Sequence, residues 1–92
     1  AIYPKALSWL AIYKSGGNNN DNQEVIKLFD QYIQQFPQGR DINRMKYYLA
    51  LIYLQKGMIH EAKCLYIELK QKNKFYSTLL NEKINSFQKK KG

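Results

Sequence analysis

His60 and Cys64 stand four residues apart, a spacing that puts an imidazole and a thiol on one face of a helix. They are the sole His and the sole Cys of the 92-residue chain. Two such groups supply about half the ligands of a metal site, and no CxxC pair or Cys/His quartet completes one. The seven carboxylates are scattered, so no acid–base pair is marked out. Gly16-Gly17 is followed by asparagines rather than by the lysine and serine of a phosphate-cradling loop. This inventory points away from catalysis, and neither a cofactor nor a metal is expected. His60 is expected partly exposed in the first turn of a helix, and Cys64 as a small apolar filler.

The charges suggest binding rather than reaction. Fifteen Lys and Arg stand against seven Asp and Glu, a formal +8, and all the basic residues but Arg40 and Arg44 are Lys. Residues 70–92 hold seven of those lysines and one acid, Glu82, a net +6. Such a block attracts the phosphates of anionic lipid or RNA. With no Arg fork and no stacking aromatic beside Lys89 to Lys91, it is read first as a solvated face and a frayed terminus. Nucleic acid is accordingly not the favoured partner.

Apolar residues make up 45% of the chain against two Pro and five Gly, the balance of a folded domain. A chain this short buries about two-thirds of its unfolded surface, which allows one domain and excludes a two-lobed enzyme. The longest apolar stretch, Leu49 to Leu54, falls far short of the ~20 residues that cross a bilayer. The chain opens at Ala1 with neither an initiator Met nor a basic-then-apolar leader, as expected of a mature or excised fragment.

Apolar residues recur at three and four spacing throughout, which predicts an all-α fold. A first helix is expected over 4–15, with Pro4 in its first turn and Trp9, Leu10, Ala11 and Ile12 on its stripe. Gly16 and Gly17 stop it, and an Asn-rich loop over 16–21 leads to a cap at Asp21 or Asn22. The second helix carries Val25, Ile26, Leu28, Phe29, Tyr32, Ile33 and Phe36 and ends at Pro37 and Gly39. The third starts near Asp41, with Met45, Tyr48, Leu49, Ile52 and Tyr53 at helical spacing, and Gly57 is its left-handed stop. The fourth takes Ile59, Ala62, Cys64, Leu65, Tyr66 and Leu69 and fades over 70–74. The fifth, over 75–88, places Phe75, Leu79, Leu80, Ile84 and Phe87 on one side. Short connections between such helices predict two αα-hairpins and a final single helix.

The two hairpins can be laid on each other. Trp9 and Ala11 match the places of Tyr48 and Ala50 at an offset of 39, and Phe29 matches Tyr66 at an offset of 37; Tyr53, Gly57 and Ala62 in the second hairpin and the closing Pro37 in the first complete a pattern of large, small and aromatic residues. This resembles the tetratricopeptide repeat (TPR), a 34-residue helix–turn–helix unit. In that pattern small Ala11, Ala50 and Ala62 permit close helix approach, Gly57 makes the tight turn, and the aromatics fill the gap to the next repeat. The sequence departs from it in the longer first turn, in Val25 at a small-residue position and in Lys74 where Pro is usual. The aromatic-Pro, polar turn and aromatic-Leu-Ala order resembles TPR modules of bacterial cell-envelope assembly proteins. That likeness implies an envelope or periplasmic setting, with the cytoplasm as the alternative.

The resemblance implies a single TPR-like domain over 1–92: repeat one at 4–37, repeat two at 41–73, a capping helix at 75–88 and a basic tail at 89–92. It also implies a right-handed stack whose first helices line a concave groove. The lining projects onto Lys5, Ser8 and Ile12 in repeat one and onto Arg44, Tyr47, Leu51, Leu54 and Gln55 in repeat two. Leu51 occupies a place where carboxylate-clamping TPRs carry Asn, so an apolar peptide or helix of a protein partner is expected there. The expected role is a non-catalytic scaffold or adaptor, tested by Leu51→Arg and Tyr47→Ala as groove variants. The alternatives are a homodimer through Ile2, Tyr3, Trp9 and Tyr13, since two repeats are fewer than the ~3 that stand alone, and a basic surface docking to anionic membrane or RNA. The same lining residues could instead pack against the fifth helix.

Overall fold

The computed structural model describes residues 22–91. The expected first helix and its loop lie outside the described residues, and with them Lys5, Ser8, Trp9, Ala11 and Ile12. The described residues form four helices, α1 (Asn22–Gln35), α2 (Ile42–Gln55), α3 (Ile59–Lys72) and α4 (Lys74–Lys91), and no strand. The fold is all-α.

α1 buries Val25, Phe29 and Tyr32, a row at four- and three-residue spacing that faces α2. Pro37 ends it, because the residue before a proline is driven out of helical geometry. The turn that follows is tied back to the helix. The Asp41 backbone N–H donates to the Tyr32 hydroxyl at 3.2 Å, and the Gly39 N–H donates to the Phe36 carbonyl at 2.9 Å. A Cβ on Gly39 would stand 2.8 Å from the Tyr32 oxygen, so glycine is what lets the turn close over the buried tyrosine.

α2 is the central element and touches each of the other three helices. Its buried residues Met45, Tyr47, Leu49, Ala50, Ile52 and Leu54 point around most of its circumference, as a helix covered on several sides requires. Gly57, at φ +78°, turns the chain. The Met58 N–H donates to the Tyr53 carbonyl at 2.8 Å and the Gly57 N–H to the Leu54 carbonyl at 3.0 Å, the paired bonds of a Schellman stop.

α3 faces inward with Ala62, Leu65 and Leu69. Cys64 is exposed, not an apolar filler, because it lies about 200° around the helix from Ala62 and 100° from Leu65. Asn73, in extended geometry, is the single residue between α3 and α4. Its side-chain carbonyl accepts from the Tyr76 N–H at 3.0 Å and so caps α4, which begins at Lys74 where the sequence suggested a fading polar stretch. α4 turns Ser77, Leu80 and Ile84 to the core. Phe75, expected on that side, is 67% exposed; Tyr76 takes the inward place beside it. The buried Ser77 hydroxyl is satisfied by donating to the Lys74 carbonyl at 3.0 Å. The helix continues to Lys91 instead of ending at 88.

Candidate docking groove

Leu51, Leu54 and Gln55 share one face of α2 by their three- and four-residue spacing, and Lys83, Ser86 and Phe87 share one face of α4 by the same spacing. The two faces oppose each other across an open groove of about 520 Å³. Leu51, Leu54 and Phe87 give it an apolar floor, and Gln55, Lys83 and Ser86 give it a polar rim. Leu54 is buried at 5% exposure, while Leu51 and Phe87 are half-buried.

The N-terminal halves of the same two helices meet instead of parting. Tyr47 of α2 and Tyr76 of α4 pack with ring centroids 5.4 Å apart, and Tyr47 also contacts Tyr48 at 5.6 Å. With the N-terminal halves joined by this pair and the C-terminal halves flanking the groove, α2 and α4 run in the same direction. Tyr47 is therefore a closing residue at one end of the groove.

The residues projected as groove lining thus divide. Leu51, Leu54 and Gln55 come together in the groove. Tyr47 is 8% exposed and packed against α4. Arg44 lies at the start of α2, paired with Asp41 at 3.2 Å, its Nε buried without a hydrogen-bond partner. The α4 wall was not identified from the sequence: Phe87 was legible only as a core position, and nothing local says that Lys83 and Ser86 face α2. Among the repeat positions, Phe29, Ala50 and Ala62 are fully buried, Tyr53 and Tyr66 are half-buried, and Pro37 is exposed.

A second groove crosses α2 between α1 and α3 and includes Asp30, Lys46, Tyr53, Glu61, Cys64 and Glu68. Lys46 bonds Glu68 at 3.2 Å. Burial holds the Asp30 carboxyl above the usual carboxylate range. The Tyr53 phenol is raised first by burial and then by the nearby Asp30 and Glu61 charges. Cys64 Sγ stands 3.9 Å from His60 Nε2 with both side chains exposed. Among the described residues no group of three or more His, Cys, Asp and Glu comes close enough to hold a metal ion, and no helix is long and apolar enough to cross a membrane.

Tyr32 and Tyr47 are likewise held above the ordinary phenol value by burial. Three phenols raised in the folded state keep their protons above about pH 10 while the unfolded chain releases them. Their contribution to stability is complete below the unfolded value and is lost as pH rises through the folded values. The melting temperature is expected to fall when pH is taken from about 9 to about 11, with the 295 nm absorbance gaining the phenolate signal of these three residues only as the chain unfolds. A flat melting temperature across that range would contradict the burial of these hydroxyls. Comparison of the chain with protein-family models, with curated proteins and with solved structures gives no match.

Proposed function

We propose that this chain is a non-catalytic, TPR-like interaction module that takes an apolar peptide or helix of a partner protein in the α2–α4 groove. The observation that carries the reading is the apolar floor of Leu51, Leu54 and Phe87, open between two helices and edged by polar groups. The course of the helices supports it. α2 and α4 run the same way with α3 packed on both, the alternation that a helix–turn–helix repeat followed by the first helix of another would give. Each aliphatic side chain fully covered by a partner contributes about 1.5–3 kcal/mol before association costs, so Leu51 and its neighbours supply selectivity in a small groove. The repeat resemblance carries with it a bacterial cell-envelope assembly as the setting.

The test is a paired capture experiment. Immobilised wild-type chain and Leu51→Arg chain are exposed to the same lysate and eluted stepwise to about 0.5 M salt, where exposed charge pairs are largely screened. A protein retained by the wild type at high salt and lost from Leu51→Arg is the expected result, with equal helicity in the two chains because Leu51 is half-exposed. Equal retention by both would remove the groove from the mechanism. A doubled mass in solution, abolished by Leu51→Arg, would make a second copy of the chain the occupant.

A further inference from the structure

α3 separates two grooves of opposite charge. On its α1 side stand Asp30, Glu61 and Glu68, the last paired with Lys46. On its α4 side two adjoining recesses share Tyr66 and Asn81, and among the described residues no carboxylate lines either one. Lys63, Lys70 and Lys74 stand along this second groove, all exposed. Lys63 and Lys70, seven residues apart on one helix, are separated by about 10.5 Å along its axis. Lys74 follows at the start of α4.

We infer that the α3–α4 groove binds single-stranded nucleic acid. The three ammonium groups pair with phosphates along the strand, the half-buried Tyr66 ring gives a base a surface to stack on, and the Asn81 amide hydrogen-bonds to base edges. The sequence offers no aromatic beside Lys89 to Lys91. In the fold Tyr66 lies on α3 at a position between Lys63 and Lys70, with Lys74 at the start of α4, so the groove has its aromatic and adds Lys63 from outside the block. A recess admits a narrow flexible strand, whereas a planar layer of lipid headgroups meets protruding side chains instead. An unpaired base is needed because a base held in a duplex offers no free face to Tyr66. The groove lies apart from Leu51, Leu54 and Phe87, so the inference stands independently of the α2–α4 reading.

The full chain is titrated into a fluorescently labelled oligouridine of about twelve nucleotides, and anisotropy is read between about 50 and about 200 mM salt. Three phosphate contacts on a single strand give a slope of log affinity against log salt of about −2, or roughly a 15–20-fold loss over that range. Replacing Lys63, Lys70 and Lys74 together by Gln is expected to flatten the slope and weaken binding at least about tenfold at the lower salt. Replacing the exposed Lys27, Lys56 and Lys89 by Gln removes the same charge elsewhere and is expected to keep the slope. Tyr66→Leu is expected to weaken binding about tenfold, with Tyr66→Phe restoring it. Circular dichroism of each variant establishes that the fold is kept. Equal weakening by the two lysine sets would overturn the inference by reducing it to diffuse charge. So would phosphatidylserine vesicles that bind through the groove lysines while the oligouridine does not.

Discussion

Replacing Leu80 by Ala is expected to cost about 2–5 kcal/mol, a large share of the ~5–15 kcal/mol that holds a small domain together. Leu80 is 0% exposed and sits between Ser77 and Ile84 on the inward face of α4, the helix that packs against both α2 and α3. The start of α4 is fixed by the Asn73 cap, so the helix cannot slide inward to fill the space that the missing atoms leave. The lost transfer energy and the residual cavity therefore add. At ~4–8 °C per kcal/mol for a chain of this size, the melting temperature should fall by at least about 8 °C. Ile67→Ala, at a position 56% exposed, is the matched control and should stay within about 0.5 kcal/mol. Denaturant melts of the two variants decide the matter. A loss below about 1 kcal/mol for Leu80→Ala would mean that α4 is not packed into the core.

Where the sequence was informative, the cause was local chemistry. Pro37 stops α1 whatever surrounds it, and Gly57 provides the positive φ of a turn that tertiary contacts did not have to impose. Asn73 carries an equally local signal, a cap residue immediately before a new apolar period, which the surrounding lysines mask as a fading helix. Cys64 and Phe75 mark a different limit. Each stands two residues from an inward residue, Ala62 and Ser77, about 200° around the helix, so residue type alone put it with the core while its spacing puts it on the far face. The groove was half legible. Leu51, Leu54 and Gln55 lie on one helix, so their shared face follows from spacing. The wall that opposes them comes from α4, and which helix lies beside α2 is decided by how α3 packs between them, a non-local fact. α2 posed the hardest case, because a helix apolar nearly all round does not reveal which of its residues meet another helix and which border solvent.

Tyr47→Ala resolves that ambiguity, and the expected result is a stability loss of about 3–5 kcal/mol, the range for truncating a large core aromatic. The repeat resemblance implied that Tyr47 is a groove residue whose truncation would weaken partner binding and leave helicity intact, with packing against the fifth helix as the alternative. In the fold it is 8% exposed, with its ring 5.6 Å from that of Tyr48 and 5.4 Å from that of Tyr76. Removing it forfeits buried apolar area together with ring–ring interactions worth about 0.5–1.5 kcal/mol per pair. A double-mutant cycle isolates the part that concerns the groove. Tyr47→Leu and Tyr76→Leu each keep an apolar side chain in place, and their combined cost should fall short of additivity by roughly 0.5–1.5 kcal/mol. That coupling is what the Tyr47–Tyr76 pair contributes to holding α2 and α4 together at the closed end. Partner capture by Tyr47→Ala should then decline only as the folded fraction declines, and cooling or lower denaturant should recover it. Leu51→Arg should show the reverse, a stable chain that captures nothing. A Tyr47→Ala chain that melts like wild type and yet fails to capture would place Tyr47 in contact with the partner and overturn its assignment as the aromatic pin between α2 and α4.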